Sequence, residues 1–112
     1  MRRLYKAFLH SLDGIQSCIK TEPAFRLELV MFIIAVPAAF YFGKNKVETL
    51  LLIGSGAMVL VVELLNSAIE NTANRISLDF HPFIKDAKDQ GSAAVLVASL
   101  FAMFTWLYIL LW

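Results

Sequence analysis

Val47-Glu48-Thr49-Leu50-Leu51-Leu52-Ile53-Gly54-Ser55-Gly56-Ala57-Met58-Val59-Leu60-Val61-Val62 runs without a break into Glu63-Leu64-Leu65-Asn66-Ser67-Ala68-Ile69-Glu70. Apart from Glu48 near its start, the first part carries no charge. A helix through this stretch sets residues 63, 66 and 70 at i, i+3 and i+7, so two carboxylates and an amide project from one face at the end of an apolar rod. An acidic side chain at the bilayer centre costs roughly 2.5–3.5 kcal/mol, whereas a polar contact between membrane helices returns only about 0.6–2 kcal/mol. Packing alone is therefore a poor reason for keeping both glutamates. At a rise of ~1.5 Å per residue, Glu63 stands about 24 Å beyond Val47, near the far interface, and Glu70 lies past the hydrocarbon.

Composition points the same way. With 59% hydrophobic residues and a mean hydropathy of +0.68 in 112 residues, the chain reads as one membrane domain. The net charge of +1 is too small to suggest a nucleic-acid partner. The single Cys18 rules out an internal disulfide, and there is no Cys/His cluster at zinc spacing. Lys6 and Asp13 interrupt the apolar residues after Met1-Arg2-Arg3, which argues against a cleaved signal peptide.

The chain divides into four elements. Leu4, Phe8, Leu12, Ile15 and Ile19 recur three or four apart, which predicts an amphipathic helix over residues 1–21 lying on the membrane surface, with a peripheral core helix as the alternative. Thr21-Glu22-Pro23 marks a new helix start, with Thr21 as its cap, and a first span covers 27–43, open to a kink at Pro37. Gly43-Lys44-Asn45-Lys46 is a turn, and the second span, 47–75, carries the central motif. Residues 76–91 read as a polar loop, broken at His81-Pro82, before a third span over 92–112. Ala94, Ala98 and Ala102 make a small-residue packing face, Gly54-Ser55-Gly56 a packing notch, and Trp106, Tyr108 and Trp112 an aromatic belt.

Three spans put the termini on opposite sides. One side collects Arg2, Arg3, Lys6, Lys20, Arg26, Arg75, Lys85 and Lys88, and the other only Lys44 and Lys46, which makes the N-terminus and the second loop cytoplasmic. Glu22, Glu63, Asn66, Glu70, Lys88 and Asp89 then gather at the cytoplasmic surface. Carboxylates, an amide and a lysine suit a magnesium-bound phosphate, and a further carboxylate can take a proton from an attacking hydroxyl. Neither G-x-x-x-x-G-K-[ST] nor G-x-G-x-x-G occurs, so any nucleotide site is unlike a P-loop or a protein kinase.

Glu63-Leu64-Leu65-Asn66-Ser67-Ala68-Ile69-Glu70, together with Ala87-Lys88-Asp89-Gln90-Gly91-Ser92-Ala93-Ala94-Val95-Leu96, closely resembles the signature of the small prokaryotic integral-membrane diacylglycerol kinases. The likeness extends to Glu22-Pro23-Ala24-Phe25-Arg26-Leu27-Glu28 and to Arg3, and covers nearly the whole chain. It implies an all-α membrane protein, a surface helix plus three transmembrane helices, assembled as a homotrimer in the bacterial inner membrane. It also implies a lipid kinase that uses MgATP to turn diacylglycerol into phosphatidic acid at sites between neighbouring subunits. By the same resemblance Glu63 is the base for the lipid hydroxyl, and Glu22 and Glu70 bind the metal. Arg3, His10, Glu22, Asn66, Glu70, Asp79, His81, Lys88 and Asp89 contact ATP. Arg3, Ala24, Phe25, Arg26, Glu28, Glu63, Ser92 and Trp106 contact the lipid.

Two departures matter. Asn74 stands where the family commonly has an aspartate, which puts one acidic role in question, and His81-Pro82 resembles the related Gram-positive enzymes that prefer undecaprenol. Two other classes compete. A transporter needs polar groups through the whole depth, yet Leu50 to Val62 is nearly bare. An assembly subunit needs only packing faces and leaves the charged cluster unexplained.

Overall fold

The computed structural model describes residues 1–76 and 82–112. They form α1 (Arg2–Thr21), α2 (Pro23–Phe42), α3 (Lys46–Ile76) and α4 (Pro82–Leu111). The last three are long and apolar enough to cross a membrane.

A single extended residue, Glu22 (φ −117°, ψ 101°), separates α1 from α2. Thr21 does not cap α2; its hydroxyl donates to the Ser17 carbonyl within α1 (2.9 Å), because α1 runs through Thr21 and the start of α2 is set instead by Pro23, whose missing N–H costs nothing there. Arg26 reaches back to the end of α1, its Nη1 donating to the carbonyls of Ile19 (2.9 Å) and Lys20 (3.1 Å), two of the acceptors that a helix end leaves open. α2 continues through Pro37, which is exposed.

Asn45 builds the turn into α3. Its Oδ1 accepts from the Glu48 N–H (2.9 Å), and Glu48 Oε1 accepts from the Lys44 N–H (3.0 Å), a reciprocal cap. At 31 residues α3 is about 46 Å long, longer than a ~30 Å hydrocarbon core.

The stretch read as loop up to residue 91 is helical from Pro82 onward. Pro82 takes the first helical position, and Lys85 and Asp89 pair at i, i+4 along the polar first turns. The expected break at His81-Pro82 coincides with the start of α4, although residue 81 itself lies outside the described residues.

α4 packs mainly on α3, which packs on α2, and α1 leans on both α2 and α3. Ala39, Leu52 and Ile109 form the core, flanked by Ile53 and Trp106. The Leu52 carbonyl accepts from Trp106 Nε1 (3.2 Å) and from the buried Ser55 hydroxyl (3.0 Å). Trp106 is thus tied into the bundle rather than standing free in a belt. Tyr108 and Trp112, both exposed, stack with centroids 6.0 Å apart. In the Gly54-Ser55-Gly56 notch only Gly56 is closely approached, by Phe32 of α2; a Cβ there would lie 3.1 Å from the Phe32 ring.

Candidate functional site

The face of α3 that carries residues 63, 66 and 70 looks toward the junction of α1 and α2 and toward the polar start of α4. Glu63 is buried (6% exposed), whereas Glu22, Glu28 and Glu70 are half-buried. The charges of Glu22 and Glu70 both bear on Glu63, and that of Glu63 bears on Glu28. Glu63 thus stands within electrostatic reach of three other carboxylates, from the α1–α2 link, α2 and α3. Among the described residues no Lys or Arg is ion-paired with any of them, since the one side-chain ion pair joins Lys85 to Asp89. Such crowding is unfavourable unless something positive or proton-bearing enters.

Two buried acceptors point the same way. Glu28 Oε2 and Asn66 Oδ1 are buried without a hydrogen-bond partner, and each such group costs about 1–3 kcal/mol. Asn66 lies against α4 at Gly91, where a Cβ would overlap its Oδ1 and come within 3.6 Å of Ile69 Cδ1. Gly91 is thus the seat that lets the amide sit between the helices.

An apolar groove of ≈460 Å³ runs between α2, α3 and α4, lined by Phe32, Ala35, Gly56, Val59, Ala102 and Trp106, with Glu28 as its charged member. A second, more polar groove of ≈440 Å³ lies between α1 and α3 and includes Ser11, Gly14, Glu22, Ser67 and Asn71. Cys18 and Ser67 meet at its wall (Sγ to Oγ 3.5 Å), a buried contact that hydrophobic periodicity does not predict. No spacing argument pairs residues 49 positions apart.

The remaining expected residues divide. Lys88, half-buried on α4, donates through Nζ to Asn74 Oδ1 of α3 (2.6 Å). Asp89 is exposed and held by Lys85 of its own helix. Phe25 is buried (2% exposed), and Arg26 is engaged with the end of α1, so both fix the start of α2. Ala24 and Ser92 are exposed. Arg3 and His10 are exposed on α1, about 28 and 18 Å along the helix from Glu22. Asp79 and His81 lie outside the described residues. Among the described residues no three His, Cys, Asp or Glu side chains form a complete metal cage.

These features define a helical protein with three helices suited to crossing a membrane and a group of carboxylates around Glu63, of which Glu28 also opens onto an apolar groove. The pattern of the family described as prokaryotic diacylglycerol kinase matches residues 9–110, and the chain belongs to that family, a family of lipid-phosphorylating enzymes. It is 43% identical over 110 residues to the diacylglycerol kinase of Escherichia coli K12, covering 98% of this chain and 89% of that one. With the diacylglycerol kinase of Pseudomonas aeruginosa it shares 41% over 111 residues (99% and 90% covered), and with that of Haemophilus influenzae 39% over 106 residues (95% and 90%).

Proposed function

We propose that this chain transfers the γ-phosphate of ATP to the free hydroxyl of diacylglycerol, giving phosphatidic acid and ADP at the cytoplasmic face of the bacterial inner membrane. The observation that carries this reading is the convergence of Glu22, Glu28 and Glu70 on buried Glu63, beside a groove whose walls suit acyl chains.

Glu63 takes the proton of the attacking hydroxyl as its oxygen bonds to the γ-phosphorus and the bond to the departing ADP oxygen breaks. Glu28, with a buried oxygen to spare, accepts a hydrogen bond from the glycerol end and so orients it. Magnesium carried on a nucleotide needs only one or two protein carboxylates, because phosphate oxygens and water supply the rest, and Glu22 and Glu70 fit that requirement. When bound, the ion offsets the charge of the phosphate oxygens. Asn66 and Lys88 serve the phosphates as neutral and cationic contacts, with Asp89, Asp79 and His81 placed along the nucleotide. Ala24, Phe25, Arg26, Ser92 and Trp106 shape the lipid side.

Arg3 and His10 serve sites formed between neighbouring subunits of a homotrimer. Leu4, Phe8 and Leu12 on α1 are 70%, 61% and 47% exposed, which supports a helix lying in the membrane surface. The Lys/Arg imbalance between the two sides supports a cytoplasmic N-terminus.

The test is turnover by the purified protein in mixed micelles of detergent and diacylglycerol with MgATP. Phosphatidic acid should form and should cease when magnesium is chelated; no product under these conditions overturns the reading. Adding undecaprenol as a competing acceptor decides the alcohol, and a preference for it would move the acceptor while keeping the reaction class.

A further inference from the structure

We infer that Asn74 is a positioning residue that holds the Lys88 ammonium over the phosphate line, and that its role is geometric rather than acidic. The inference rests on the kinase reading above and adds to it a residue that the reading leaves without a task.

Asn74 and Lys88 are joined across the α3–α4 junction by the 2.6 Å bond from Nζ to Oδ1. They stand fourteen positions apart in sequence, on either side of the link between the two helices, so the bond is a tertiary one. Residue 74 lies four positions after Glu70 and eleven after Glu63, and both intervals return to the same face of an α-helix. The ammonium is therefore moored about one turn, ~6 Å, beyond the carboxylate assigned to the metal.

The nearest acid in sequence does not compete for Lys88. Asp89 pairs with Lys85 one turn earlier on α4, and among the described residues that is the only ion pair. Among the described residues Lys88 has one hydrogen-bond acceptor, the neutral Asn74, and an ammonium carries three N–H donors, so two further ones can serve phosphate oxygens. A lysine stem has four rotatable bonds, so a single anchored donor removes much of the ordering cost that nucleotide binding would otherwise meet. An aspartate at residue 74 would offer an acceptor oxygen at the same reach, and an alanine would offer none.

The experiment is a double-mutant cycle on the full-length protein in diacylglycerol micelles, reading KM for MgATP, KM for diacylglycerol and kcat. Binding of a fluorescent ATP analogue is measured in parallel as a readout independent of turnover. Asn74→Ala should raise KM for MgATP and weaken analogue binding about tenfold, the loss of one hydrogen bond to a charged group, with KM for diacylglycerol unchanged. Asn74→Asp should rescue both values without altering the magnesium requirement. In a Lys88→Ala background, Asn74→Ala should have no further effect.

An equal effect in that background, or a changed magnesium requirement in Asn74→Asp, overturns the inference. Should Asn74→Ala fail to assemble, Asn74→Ser, whose hydroxyl falls short of the ammonium, takes its place with the same expectations. A wild-type protein that forms no phosphatidic acid defeats the kinase reading and this inference with it. An active wild type with an additive cycle defeats the inference alone.

Discussion

In the proposed mechanism Glu63 is the residue on which the chemistry turns; it is buried, and the charges of Glu22 and Glu70 bear on it. Glu63→Gln keeps the shape and removes the proton acceptor. Turnover should fall about 10²- to 10⁴-fold while helix content and micelle assembly stay the same, as read by circular dichroism and size-exclusion chromatography. Unchanged turnover would remove Glu63 from the mechanism. Glu70→Gln should instead raise the magnesium concentration needed for half-maximal rate, and a wild-type magnesium titration would count against it as a ligand. Gly91→Ala is a subtler probe. Its new methyl overlaps the Asn66 carbonyl oxygen, the mobile end of a side chain, so the amide must swing away. Activity should drop well before thermal stability does, and equal losses of both would mean that Asn66 only packs.

Among the elements, α3 has the firmest start and α2 the most dependent one. Asn45 and Glu48 cap α3 reciprocally at the turn, so Asn45→Ala should cost about 1 kcal/mol, seen as a lower midpoint of thermal or denaturant unfolding in micelles with catalytic constants unchanged. The carboxylates stand at the other end of α3, which is why stability and activity should separate there. The α1–α2 corner behaves differently. It depends on one extended residue, Glu22, and on Arg26 bonded to two α1 carbonyls. That corner holds Glu22 within electrostatic reach of Glu63, so a change that loosens it acts on the site through geometry. The polar start of α4 has the same standing, since the Lys85–Asp89 pair and the Asn74–Lys88 bond turn an apparent loop into a helix facing α3.

For the molecule as a whole, burial inside one chain leaves most of the apolar surface of the three spans uncovered, including Leu50, Leu100 and Phe104, as lipid or further copies would require. Chemical cross-linking in lipid should trap trimers, and an exclusively monomeric active protein would overturn the shared-site reading of Arg3 and His10. The periodic stretches were legible from the residues alone. A bare rod ending in Glu63, Asn66 and Glu70, a stripe on α1 and a charge-free final span each announce a helix, because hydrophobic spacing is a local property and the bilayer fixes its length. The shared face of the acidic side chains was legible for the same reason.

The order of residues along the chain thus suffices for the number of helices long and apolar enough to cross a membrane, the acidic stripe on the second of them and membership of the family. It does not suffice for the contacts between helices: Asn66 seated on Gly91, Lys88 tied to Asn74, Arg26 closing α1, Trp106 bonded to Leu52 and Glu28 opening onto the apolar groove all came from the folded chain. Each of these depends on which faces of separate helices meet and at what depth. Close-packed side chains fix that registration only after every helix has formed, and no spacing within a single helix encodes it.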